Sequence, residues 1–139
     1  MKYIDKIIKF LEKIGGENVH NNNINGQEII GFSFMINKKL LNVAIFHSQI
    51  EDRIVFQIFS TLPNAYEEPD LEFYKIIEKL NTNSMLGGLI FINKEDDFFI
   101  SYKSNLISDL KNEKQKEVEL FITTSLQMIS KNYSELNTI

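Results

Sequence analysis

The stretch Met85–Ser104, MLGGLIFINKEDDFFISYKS, constrains what this chain can fold into more than any other. Two runs dense in β-branched and aromatic residues, Gly88–Asn93 and Phe98–Lys103, flank the charged tip Lys94-Glu95-Asp96-Asp97. Such runs, broken by a short polar turn, predict an antiparallel hairpin. The segments around it must then cover that hairpin or extend it.

Upstream, Ile4, Ile7, Ile8, Leu11 and Ile14 recur at helical spacing over Tyr3–Ile14. Gly15-Gly16 supplies the left-handed position that ends many helices. The segment Glu17–Gln27 holds Asn18, Asn21, Asn22, Asn23 and Asn25 with Gly26, and reads as a loop or a frayed start of a strand. Alternating apolar residues then predict three strands: Ile30, Phe32, Phe34 and Ile36 in Glu28–Ile36; Leu41, Val43 and Ile45 in Leu40–His47; Ile54, Phe56 and Ile58 in Ile54–Ser60. Asn37-Lys38-Lys39 and Ser48–Arg53 are the turns between them.

The loop Thr61–Glu68 leads to Pro69, which suits a first helical turn, and the acids around it suit the positive end of that helix. Phe73, Ile76, Ile77 and Leu80 form its apolar stripe, and Asn81-Thr82-Asn83 closes it. After the hairpin, Asn105–Lys111 reads as irregular. Asn112 and Gln115 fit a capping box, and Val118, Phe121, Ile122, Ser125, Ile129, Tyr133 and Leu136 mark one face of a long last helix. The order α-β-β-β-α-β-β-α predicts an α+β domain, residues 1–139, with an antiparallel five-stranded sheet and three helices.

Composition narrows the function classes. At 139 residues and 43% hydrophobic content, one domain with a real core is expected. Without cysteine there are no disulfides or thiolate metal sites. The first helix carries Lys2, Asp5, Lys6 and Lys9, unlike a secretory segment, and no apolar run approaches the ~18 residues of a membrane span. A soluble cytoplasmic protein is expected. Net charge is −4 and Arg53 is the sole arginine, which argues against nucleic-acid binding.

No residue pattern carries catalytic chemistry. His20 sits in the Asn-rich segment, and His47, near Glu51 and Asp52, reads as a surface histidine; neither has metal-ligand spacing. Glu95-Asp96-Asp97 supplies only fragments of a calcium loop. Gly87-Gly88 precedes a strand where a phosphate loop precedes a helix, so these glycines point to a bulge or close approach of the second helix. Ser33, Ser48, Ser60, Ser101 and Ser104 lack a nucleophile elbow. The expectation is a non-enzyme without cofactor or metal.

What stands out is an apolar excess, with eleven Phe and five Tyr. Ile29, Met35, Leu40, Phe46, Val55, Phe59, Ile90, Ile92 and Phe99 fall opposite the main alternation, giving the sheet a second apolar face. Either helices cover both faces or the second face meets a partner. Phe46, Phe59, Ile92 and Phe99 are the candidate partner-binding residues.

The element order, with the small-residue step Leu86-Gly87-Gly88 leading into Leu89-Ile90-Phe91-Ile92, resembles the YbjN-like family, which shares the fold of class I type III secretion chaperones. The likeness runs from Ile4 to about Tyr133 and is strongest over Leu80–Leu106. It implies a bacterial sensory-transduction or stress-response regulator without a catalytic motif, or a small acidic homodimer that holds an extended protein segment on apolar grooves. The reading is therefore a protein-binding module, with a small-molecule-binding regulatory domain or a toxin-neutralising immunity protein as alternatives.

Overall fold

Turn chemistry decides where the alternating segments pair. The computed structural model describes residues 2–66, 68–109 and 115–137. Its elements are α1 (Lys2–Lys13), β1 (Glu17–Ile24), β2 (Gln27–Ile36), β3 (Lys39–Ile50), β4 (Arg53–Tyr66), α2 (Leu71–Thr82), β5 (Gly88–Lys94), β6 (Asp97–Asp109) and α3 (Gln115–Leu136). The strands form one antiparallel sheet in the order β1-β2-β3-β4-β6-β5. The sheet thus has six strands where the sequence pattern predicts five.

The additional strand is β1, drawn from the Asn-rich segment. Asn25 and Gly26 have φ of 52° and 81°, as a type I′ turn requires, and they fold Ile24 onto Gln27. The same geometry recurs at Asn37 and Lys38, with φ of 48° and 67°, between β2 and β3. Between β1 and β2 the register shifts once, between Glu17 and His20, where Asn18 takes a left-handed φ of 54°.

Two other predicted loops are also strand. β4 continues through Thr61 to Tyr66, and the register shift between Thr61 and Ala65 absorbs Pro63, which has no N–H for the ladder. β6 continues through Asn105 to Asp109, because the first half of β4 offers it a partner from Gln57↔Asn105 to Arg53↔Asp109. Pro69 lies before the second helix rather than in its first turn. Asp70 is the N-cap, its Oδ1 accepting from the Phe73 N–H at 2.9 Å. The Asn112 capping box lies outside the described residues.

Contacts place all three helices on the same face of the sheet. Tyr3 of α1 meets His47 and Phe56; Phe73 of α2 meets Phe91; Ser125 of α3 shares a hydrogen bond of 2.9 Å with Ser104. Beneath them Ile30, Ile45, Ile58, Ile100 and Tyr102 are fully buried, with Leu11, Ile122 and Ile129 from the helices above. The predicted stripe of α3 is buried throughout, with Met128 and Asn132 added.

Gly87 and Gly26 separate two costs of a side chain. Both have positive φ, but a Cβ at Gly26 meets nothing within 4 Å, whereas at Gly87 it would run into the Lys103 carbonyl, Ser104 and the Tyr102 hydroxyl. Gly87 thus approaches β6 rather than the second helix, while Gly88 lies against Asn81 of α2. We expect Gly26→Ala to cost about 1–2 kcal/mol from backbone conformation alone, and Gly87→Ala at least about 3 kcal/mol. Urea unfolding of the two variants checks the ordering.

Candidate functional site

With the helices gathered on one side, the opposite face of the sheet carries no helix among the described residues. Cross-strand register sets its surface. One row runs His20–Gly31–Ala44–Phe59–Lys103–Gly88, and the next runs Asn22–Ile29–Phe46–Gln57–Asn105. Phe46 and Phe59 are therefore diagonal neighbours at the middle of the sheet, within reach of each other's rings. Ile92 pairs with Phe99 toward the β5 edge. The four predicted residues lie on this face and are half-buried by their lateral neighbours. Met35, Leu40, Ile90 and Ile107, on the same face, are 61%, 46%, 39% and 59% exposed.

Charge is sparse here. Lys103 is the charged residue of the central row, while Arg53 opposite Asp109 and Lys94 opposite Asp97 sit at strand ends. The face is mixed: Phe46, Phe59, Ile92 and Phe99 stand among the polar Gln57, Asn105, Ser33, Asn42 and Ser101, with Lys103 in the central row. Six strands about 4.8 Å apart, taken over about eight residues each at ~3.3 Å, give a projected area on the order of 700 Å². That approaches the ~800 Å² per partner of a standard protein interface.

The helix-covered face holds a second constellation. His47 is 1% exposed, not a surface residue, because it continues the inward alternation of Leu41, Val43 and Ile45. Its Nδ1 lies 3.2 Å from the Tyr3 hydroxyl and its Nε2 3.1 Å from Asn21 Oδ1. Asn21 and Asn23 donate to the two carboxylate oxygens of Glu28 at 2.8 and 3.0 Å. The tautomer follows from these partners. Glu28 accepts the Asn21 amide N–H, so Oδ1 turns to His47, Nε2 carries the proton, and Nδ1 accepts from Tyr3. Burial lowers the His47 pKa from its usual 6.5, against a weaker upward pull from Glu28. Tyr3 is raised, by burial first and then by Glu28. Glu28 is lowered chiefly by the two asparagine hydrogen bonds. The cluster ties α1, β1, β2 and β3 together.

No protein-family model matches the chain, and no curated protein matches it. Among solved structures it is similar to the crystal structure of YbjN, a proposed transcription regulator from E. coli. The chain shares its fold with YbjN. The TM-score is 0.58 at 13% identity, over 97% of this chain and 91% of YbjN. The likeness thus extends through the Asn-rich β1 and the last helix. At that identity it concerns architecture, and side-chain chemistry has to be read from this chain itself.

The other sequence candidates are not brought together. Ser33 donates to Asn42 at 2.7 Å, Ser60 to the Asn42 carbonyl at 2.8 Å, and Thr61 shares a hydrogen bond of 2.6 Å with Ser101. These are local bonds within the sheet, without a histidine. His20 lies over Gly31, on the opposite face from His47. Among the described residues no three His, Cys, Asp or Glu side chains converge as a metal site. Among the described residues no helix is long and apolar enough to cross a membrane. The partners of His47 were hidden because Tyr3, Asn21 and Glu28 meet only through the β1–β2 pairing.

A histidine whose folded pKa is depressed binds protons later than its unfolded counterpart. Stability is therefore full above about pH 6.5 and falls as pH drops below it, levelling off once the folded His47 is itself protonated. Urea midpoints compared between pH 7.5 and 5.5 should show this loss, and His47→Gln should remove most of it. Glu28 adds its own loss only at lower pH, below its usual 4.5.

Proposed function

We propose that the chain is a non-enzymatic protein-interaction module, and that it binds a partner protein on the open sheet face around Phe46 and Phe59. The observation that carries this reading is the one-sided covering of a sheet that carries large apolar side chains on both faces. Leaving aromatic and branched side chains half in water across a six-stranded face costs free energy, at about 25 cal/mol per Å² of apolar surface. A partner with extended or flat apolar structure removes that cost, and Lys103 in the central row gives such a partner one charge to match. A regulatory role, of the kind proposed for YbjN, would act through this surface, and so would a toxin-neutralising one.

The small-molecule alternative called for an enclosed apolar cavity with convergent polar groups. Among the described residues an open groove of about 260 Å³ lies between α1 and α3, lined by Lys6, Lys9, Phe10, Lys13, Gln115 and Glu119. Its lysine rim and its openness to water differ from that description.

Affinity capture with wild-type protein and with the Phe46→Ser/Phe59→Ser double variant tests the proposal. Half-buried positions on an uncovered face should tolerate the change with the fold intact by circular dichroism. Affinity for the captured partner should fall by more than about 30-fold, the scale of an interface hot spot. Unchanged capture by the folded variant would overturn the assignment.

A further inference from the structure

At the centre of the open face the β4–β6 seam carries the cross-strand pairs Gln57↔Asn105, Phe59↔Lys103 and Thr61↔Ser101. Lys103 is the middle member and the charged one. It is half-buried, although no helix of the described residues covers this face. Among the described residues no anion stands near it. β3, β4 and β5 contain no acidic residue. The acids of β6 are Asp97 and Asp109 at its two ends, each about 20 Å from Lys103 along the strand. Lys103 makes no ion pair with a described residue.

The pairs on either side of Lys103 leave protons to donate. Gln57 Nε2 donates to Asn105 Oδ1 at 3.1 Å, so the Asn105 carbonyl is occupied and its amide N–H groups remain. Thr61 and Ser101 share a hydrogen bond of 2.6 Å. Ser101 is fully buried, and a buried O–H that did not donate would be left unsatisfied. Ser101 is therefore the donor, and the O–H of the exposed Thr61 is left over. On its other flank Lys103 faces Gly88 of β5, which has no side chain to cover it. Beyond Gly88 the sheet is closed by Asn81 of α2. Its Oδ1 accepts the Leu89 N–H at 2.7 Å and its Nδ2 donates to the Leu89 carbonyl at 3.0 Å, as a further strand would. Lys103 is approached from the open face.

We infer that the partner brings a carboxylate to this point, an Asp or Glu side chain seated over Lys103 and accepting from Asn105 and Thr61 as well. The inference rests on the reading that a protein partner covers the open face, and it names what that partner presents. A segment lying flat over Phe59 strips water from the Lys103 ammonium. Burying a cation without a counter-charge is costly, whereas a carboxylate turns the same burial into charge-assisted hydrogen bonds. A backbone carbonyl or a hydroxyl accepts a proton but leaves the charge unbalanced. Apolar residues on either side of the acid then lie on Phe59 and Phe46. Lys103 acts as the selector of this surface, because an apolar segment without an acid would leave it buried and unpaired.

Short random peptides displayed on phage and panned against three proteins test this without a known partner: wild type, Lys103→Glu and Phe46→Ser/Phe59→Ser. Wild type should enrich sequences with an Asp or Glu among apolar residues, and Lys103→Glu should enrich Lys or Arg in its place. Peptides that need Phe46 and Phe59 but show the same composition on both proteins would overturn the carboxylate and leave the binding face standing. Peptides that bind the double variant equally well, or no enrichment at all, would overturn the face and this inference with it. Binding of phosphatidylserine vesicles through Lys103, with no acidic peptide selected, would assign the anion to a lipid and overturn the protein carboxylate. For a selected peptide, Lys103→Met keeps the aliphatic stem and removes the charge. It should weaken binding about tenfold or more by fluorescence anisotropy, with an unchanged circular dichroism spectrum. Replacing the peptide's acid by its amide should then cost little further, because the pair is already broken; full, independent losses from the two changes would count against the pairing.

Discussion

Everything in this structure depends on the pairing of β4 with β6. It runs from Arg53↔Asp109 to Tyr66↔Phe98 and joins two meanders that are otherwise separate: β1 to β4 on one side, and the β5–β6 hairpin on the other. Closing the intervening chain, which includes α2 and β5, costs conformational entropy before any contact returns it. What returns it is burial under the helices. Ile58 faces Ser104 and Ser60 faces Tyr102, and α3 closes over this seam with Ile122, Ser125 and Ile129. The Tyr102 hydroxyl donates to the Leu86 carbonyl at 2.6 Å, so the seam also fixes the approach to β5.

The one-sided arrangement follows from this seam. Both chain halves deliver their helices to the side on which Tyr102 and Ser104 point: α1 meets His47 and Phe56, α2 meets Phe91, α3 meets Ser104, and the α2–β5 connection meets Tyr102. The opposite side receives the leftover alternation. On an ordinary half-wet antiparallel sheet that alternation is polar. Here Ser33, Asn42 and Ser101 form a polar strip, yet Phe46, Phe59, Ile92 and Phe99 stand beside it. Those side chains are not needed to close the core, which the helices already fill. The proposed partner binding is what would give them a role beyond the fold.

Most of this architecture was legible in periodicity. Period-two spacing placed Ile30 to Ile36, Leu41 to Ile45 and Ile54 to Ile58 on one face, and it placed the candidate partner-binding residues on the other. What escaped was carried by backbone conformation. β1 contributes no buried side chain, so it has no apolar rhythm to read, and its signal is the Asn25-Gly26 dipeptide, which was obscured among the surrounding asparagines. The ends of β4 and β6 escaped because Pro63 and Asn105 resemble loop residues when the partner strand is unknown. His47 was misplaced by weighing its charge above its position, although the alternation through Ile45 already pointed it inward. Asn81 read as a helix stop and proved to be a strand surrogate, a role that exists only once β5 lies beside α2.

Likeness to YbjN at 13% identity is instructive about where function resides. Two chains can share element order and sheet topology with so few identical residues because the fold needs patterns, not particular side chains: alternation, turns of the right hand, and small residues at close approaches such as Gly87. Those requirements are met on the helix-covered face and at the turns. They leave the open face, Lys103 and the β5 edge free to vary without disturbing the fold. A surface that the fold does not constrain is where a specific partner imposes its own demands, and function therefore has to be argued from the chemistry of that surface rather than from the architecture beneath it.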